Sequence, residues 1–143
     1  MMRNQKNLTA NEKTILKHLH DNGRALKAYE ILDLVRSEGI RAPSQVYRAL
    51  DSLVSNGFVH RLESLSAFIA CAHDHGKKQD TMGMEDAVAF AICQNCGTVE
   101  EYDLPGEFKA LRIACKKNKF SASHMTVEIS GCCLRCETQA LEV

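Results

Sequence analysis

A chain of 143 residues, 45% apolar and 25% charged, has room for one domain or two small ones, each short of core by itself. Its 18 Lys/Arg and 18 Asp/Glu cancel, which excludes a strongly basic whole-chain field as a route to nucleic acid. The longest uncharged apolar run, Ala87 to Cys93, is too short to cross a bilayer, and the N-terminus shows no signal core or cleavage pattern, so a cytoplasmic protein with no membrane partner is expected.

The zero balance hides an asymmetry. Residues 1–71 hold ten Lys/Arg against seven Asp/Glu, and residues 72–143 hold eight against eleven. A basic front half and an acidic back half suit a DNA reader joined to a metal-sensing or oligomerising unit.

Thr9 and Glu12 form a capping box that predicts a helix with Ile15, Leu16 and Leu19 on one face, ending near Gly23, with His18 and His20 on its polar side. A second helix is expected from about Lys27 to Glu38, burying Ala28, Ile31, Leu32 and Val35 and stopped by Gly39. A third begins at Pro43 and ends at Gly57, with Val46, Leu50, Leu53 and Val54 as its buried stripe and Ser44, Gln45, Arg48 and Asp51 exposed. Two short β-prone stretches, Phe58–Glu63 and Ala67–Cys71, then flank a Ser-Leu-Ser turn. A hairpin directly behind a third helix is the wing of a winged helix-turn-helix, with Arg61 placed to meet phosphate.

Residues 72–86 are polar, with two glycines and no apolar period. The expected domains are therefore 1–74, a hinge at 75–86, and 87–143. Strands are expected at Ala87–Cys93, Thr98–Asp103 and Met125–Ile129. Between the last two runs a helix after Pro105, with Phe108, Leu111 and Cys115 at core spacing and Ala114 beside them.

Two pairs with identical spacing, Cys93-Gln94-Asn95-Cys96 and Cys133-Leu134-Arg135-Cys136, can aim four soft ligands at one point, the donor set of a closed structural zinc site. Gly97 suits the turn that presents backbone amides to the first pair. Seven cysteines in a reducing compartment point to metal rather than to disulfides. Cys115 is expected to pack in the core and Cys132 to point away from the metal.

Five motifs run in one order across residues 28–136: Ala28-Tyr29-Glu30-Ile31-Leu32, Val46-Tyr47-Arg48-Ala49-Leu50, Gly57-Phe58-Val59-His60-Arg61-Leu62-Glu63-Ser64, Cys93-x-x-Cys96-Gly97 and Gly131-x-Cys133-x-x-Cys136. With them the chain resembles the ferric uptake regulator (Fur) superfamily, most closely its zinc-uptake branch. The resemblance implies an α+β protein: an N-terminal winged helix-turn-helix domain and a small C-terminal α/β dimerisation domain stapled by zinc on Cys93, Cys96, Cys133 and Cys136. It implies a homodimeric, zinc-responsive repressor of zinc-uptake genes that binds a double-stranded DNA operator, is not an enzyme and has no small-molecule substrate. Tyr47 and Arg48 match the family's positions at the DNA groove, with Tyr29 at its edge and Arg61 on the wing; Ser44 and Gln45 share the exposed face.

Iron and peroxide sensors of the superfamily carry a histidine-rich stretch just before the first cysteine pair. Here Ala87 to Ile92 holds no ligand. The zinc branch instead implies a second, regulatory zinc on His60, Cys71 and Glu101, and a thiolate in that set favours zinc over ferrous iron. The branch's fourth ligand, a histidine seven residues before Cys93, is Asp86 in this chain. His73 is the favoured substitute, with His75 and then Glu85 behind it. His124 matches a recurrent family histidine and is a candidate for a third metal site. The competing readings are a regulator of the same superfamily answering to iron, manganese or peroxide, a zinc-storage or delivery protein, and a thiol oxidoreductase. The last is disfavoured because neither cysteine pair is expected to open a helix after a strand.

Overall fold

The computed structural model describes residues 7–71 and 87–141. His73, His75, Glu85, Asp86 and the expected hinge lie outside the described residues. The chain divides into two compact units, Met1–Asp74 and His75–Val143.

In the first unit, α1 spans Ala10–Asn22 and opens on the expected capping box. The Glu12 amide donates to Thr9 Oγ1 at 3.2 Å, and the Thr9 amide donates to the Glu12 carboxylate at 3.3 Å. Gly23, at φ 63°, turns the chain out of the helix. The second helix, α2, covers Ala28–Val35 and tightens into a 3-10 turn over Arg36–Glu38. That turn is tied back to α1 by a 2.5 Å contact between His18 Nε2 and Glu38 Oε2. The third, α3, runs Pro43–Ser55; Gln45 Oε1 accepts the Arg41 and Ala42 amides, both at 3.1 Å, and so caps it.

Ile15, Leu19, Ile31, Val35, Val46, Leu50 and Leu53 are all fully buried and form the centre of this unit. Val54, expected in the stripe of α3, is instead 36% exposed, and Ala49 is buried in its place. Positions 46, 49, 50 and 53 define the inward arc, and Val54 falls one residue beyond its edge. The hairpin pairs β1 (Val59–Leu62) antiparallel with β2 (Ala67–Ala70), His60 facing Ile69 and Arg61 facing Phe68. Leu26 adds a bridge that the sequence did not announce, exchanging two 2.8 Å backbone hydrogen bonds with Phe68. The wing is thereby fastened to the segment between α1 and α2.

The second unit is a three-stranded sheet in the order β4-β3-β5, with β3 (Ala87–Cys93) central, β4 (Val99–Tyr102) antiparallel to it and β5 (Met125–Gly131) parallel. The connection from β4 to β5 is α4 (Pro105–Lys117). Among the described residues its buried apolar set is small: Ala89, Phe90, Ile92 and Phe108, with the Cys93 and Cys136 sulfurs beside them. The expected core positions on α4 are corrected. Leu111 is 46% exposed, Ala114 is exposed and Cys115 is half-buried, and Phe108 in the first turn is the buried residue of the helix. A fifth helix, α5 (Leu134–Leu141), starts directly after Cys133. The expectation that neither cysteine pair opens a helix is therefore wrong for the second pair. No described helix is long and apolar enough to cross a membrane.

Candidate metal centre and nucleic-acid interface

The two cysteine pairs meet because of strand register. Parallel pairing sets Cys93, the last residue of β3, opposite Gly131, two residues short of Cys133, and the Gln94 amide bonds the Gly131 carbonyl at 2.8 Å. The first pair turns tightly, the Gly97 amide reaching the Cys93 carbonyl at 3.0 Å with Gly97 at φ 79°, a conformation that favours glycine. Cys133 precedes the first turn of α5 and Cys136 lies within it. All four Sγ atoms fall within 4.8 Å of one another.

The Cys96 and Cys133 sulfurs are 3.7 Å apart. A disulfide needs about 2.05 Å, whereas the edge of a tetrahedron with Zn–S near 2.3 Å is about 3.8 Å. The donor set and its spacing fit zinc. Four sulfurs gathered within 4.8 Å of one another, rather than two, set this centre apart from a simple redox pair.

Local hydrogen bonds prepare the sulfurs unequally. Amide donation, first from Cys96 and then from Cys133, pulls Cys93 down from the ordinary thiol range to about 5. The Cys133 amide stands 3.3 Å from Cys93 Sγ. The side chain and then the amide of Thr98 lower Cys96 as well, with Thr98 Oγ1 3.0 Å from its sulfur. Asn95 pulls Cys136 down, but sharing hydrogens with Cys133 and burial outweigh it and push this thiol up to about 12. Arg135 was not singled out in the sequence, although a cation between two ligand cysteines was a visible signal. Its guanidinium is held above its ordinary range by the thiolates beside it, Cys96 first and then Cys133. Cys132 is exposed and outside the four-sulfur set. Burial first, then the charges of Cys93 and Cys133, push its thiol up.

In the first unit, register also explains how His60 and Cys71 come together. His60 faces Ile69, and the Cys71 amide bonds the Phe58 carbonyl at 2.9 Å, so positions 60 and 71 are diagonal neighbours on one face of the hairpin. Their ligand atoms lie within 4.8 Å. Glu101, in the second unit, is half-buried on β4 opposite Phe90. His124 is exposed, with Nε2 2.7 Å from Thr126 Oγ1, and joins no metal-capable cluster among the described residues.

Ser44, Gln45, Tyr47 and Arg48 are all exposed on the first half of α3. Tyr29 on α2, 67% exposed, and Tyr47 flank a shallow cleft floored by Leu32, Pro43 and Val46. Arg61 lies on the exposed side of β1, 3.4 Å from Glu63 and 6.0 Å from the centre of the Phe68 ring. Hydroxyl, amide, aromatic and guanidinium groups on the opening turns of one helix offer both base-edge and phosphate contacts.

The chain is 34% identical over 130 residues to the zinc uptake regulation protein of Escherichia coli K12, covering 90% of this chain and 72% of that one. A solved zinc uptake regulator complexed with zinc and DNA superposes with a TM-score of 0.80 at 33% identity, over 92% of this chain and 85% of that one. The structure of holo XcZur gives 0.79 at 37% identity, over 92% and 86%. The family model described as the ferric uptake regulator family matches residues 3–130. Taken with the hairpin behind α3 and the cluster of four cysteine sulfurs, that match over most of the sequence means that the chain belongs to the ferric uptake regulator family.

Proposed function

We propose that this protein is a zinc-responsive, sequence-specific DNA-binding repressor of zinc-uptake genes, working in the cytoplasm as a homodimer and as a regulator rather than an enzyme. The observation that carries the reading is the cluster of four cysteine sulfurs within 4.8 Å of one another in a chain one third identical to zinc uptake regulators over nine tenths of its length. The small core of the second unit, which leaves Leu111, Ile113, Phe120 and Ile129 exposed, supports its assignment to dimerisation. Ser44, Gln45, Tyr47 and Arg48 read the operator, with Tyr29 and Arg61 at the flanks.

Two zinc ions per subunit complete the reading. Cys93, Cys96, Cys133 and Cys136 hold one, which contributes directly to folding free energy. His60, Cys71 and Glu101 hold the regulatory one, with His73 as fourth ligand or Asp86 in its place. The close approach of His60 and Cys71 supports this set, as does its mixture of imidazole and thiolate donors. The test is zinc content against operator affinity. The purified protein should hold about two zinc ions per subunit, one of them removed by mild chelation together with operator binding. Cys71→Ser should keep the structural ion and lose the zinc response. Zinc-independent operator binding by the native protein and the variant alike would overturn the regulatory assignment.

A further inference from the structure

The opening of α3 is held by one side chain. Its N-cap, Ala42, has no polar side-chain group, and Pro43 after it has no amide hydrogen, so the usual hydroxyl or carboxylate cap is missing. Gln45, in the first turn, supplies the hold instead: its Oε1 accepts the Arg41 and Ala42 amides, both at 3.1 Å. Because both partners are donors, the atom facing them is the oxygen, and the amide nitrogen lies on the other side of the group. A carbonyl oxygen has two lone pairs, and the two backbone amides take both. Glutamine reads adenine through a pair of hydrogen bonds, one accepted from N6 and one donated to N7. With its acceptor engaged at the helix start, Gln45 keeps only the donor half of that pair.

We propose that Gln45 serves operator reading as a positioning residue and not as an adenine reader: its side chain fixes the opening turn of α3, from which Ser44, Tyr47 and Arg48 meet the DNA. The proposal rests on the assignment of α3 as the reading helix and gives one of its exposed residues a different part in that reading. The helix is anchored from Val46 onward by its buried stripe, whereas Pro43, Ser44 and Gln45 ahead of it are all exposed. The first turn therefore depends on the Gln45 hold for its direction. Ser44 and Arg48 stand one turn apart on one face with Tyr47 beside them, so a shift of that turn displaces the reading groups together. The amide hydrogens left to Gln45 suit a phosphate oxygen, a contact without base preference. Gln45 is exposed, so its replacement removes no core contact.

The experiment uses the full, zinc-loaded chain, which first selects duplexes from a pool of random DNA. Gel shifts then measure the affinity of the native protein, Gln45→Glu and Gln45→Met for the selected duplex, for each of its single-base changes and for a scrambled duplex. Gln45→Glu keeps the acceptor and loses the amide hydrogens. It should retain the native melting temperature and every native base preference, its added charge weakening all DNA alike. Gln45→Met is of similar length but has no carbonyl. It should lower the melting temperature by about 2–8 °C and the ratio of matched to scrambled affinity roughly two- to twelvefold, the equivalent of one hydrogen bond. A preference that switches from adenine to cytosine at one position in Gln45→Glu would overturn the proposal, since a carboxylate in direct contact accepts from cytosine N4. A native ratio of matched to scrambled affinity in Gln45→Met would overturn it as well, whatever the melting temperature. Failure of the native protein to select any sequence would overturn the reading-helix assignment itself, and because selection comes first the two failures are distinguishable.

Discussion

Replacing Arg48 by alanine separates reading from folding. Arg48 projects from the exposed side of α3, while the same helix is held by Val46, Leu50 and Leu53, all fully buried. The substitution removes no core contact and should change stability by no more than about 0.5 kcal/mol. If its guanidinium takes a guanine edge in two hydrogen bonds, operator binding falls by about 1–3 kcal/mol, roughly five- to 150-fold. Leu50→Ala is the contrasting control. It empties a site of zero exposure and should cost about 2–5 kcal/mol of folding stability, weakening DNA binding only as the folded population drops. Gel shifts on matched and scrambled operators, with thermal melts and zinc assays of both variants, read these quantities. Equal losses on matched and scrambled DNA for Arg48→Ala, with a salt dependence reduced by about one charge, would refute base reading and make Arg48 a phosphate contact.

Cys96→Ser should lose the structural zinc and with it cooperative folding and the dimer; sedimentation should show a largely monomeric, zinc-poor protein. Zinc binding by the four-cysteine centre should release protons at neutral pH, because free thiols are mostly protonated there and bind zinc as thiolates. Apparent zinc affinity should therefore weaken as pH falls; calorimetry in buffers of different ionisation enthalpy counts the protons. For the regulatory site, His73→Ala abolishing the zinc response while Asp86→Ala spares it would put the fourth ligand just after Cys71, and the reverse pattern would put a carboxylate just before β3.

Much of the first unit was legible because its signals are local. A capping box at Thr9 and Glu12, a proline at the start of α3 and glycines after α1 and α2 act within one turn of the residues they punctuate. The extent of β3 was likewise readable, since a central strand shows as a short unbroken apolar run. What escaped depends on partners distant in sequence. The Leu26–Phe68 bridge has no pattern of its own. Leu111 and Val54 have the spacing of core residues, but spacing cannot say whether a neighbour covers them. The fifth helix was missed because Cys133, not Ser, Thr, Asp or Asn, precedes it, and its start is set by the cysteine turn that β5 delivers. At the metal centre the four ligands were readable from spacing, whereas the parallel register of β3 with β5 that brings the two pairs together was not.

The chemistry of the four-sulfur centre itself argues for a second zinc. Its ligands are supplied by adjacent strand ends locked in register, and four thiolates leave zinc no open position. A site so closed changes occupancy too slowly and too far below working zinc levels to report them, and emptying it unfolds the unit rather than switching it. A signal that rises and falls with zinc needs weaker, mixed donors whose occupancy changes while the fold persists. His60 and Cys71, fixed on the hairpin directly behind the reading helix, are of that kind. The energy required is small: a coupling of about 1–3 kcal/mol between zinc and operator changes affinity by roughly five- to 150-fold. By reciprocity, operator DNA should tighten the regulatory zinc by the same factor and leave the four-cysteine zinc unmoved. Zinc titrations of protein with and without operator measure that factor directly, and an operator that tightened neither ion would mean that zinc and DNA are not coupled in this protein.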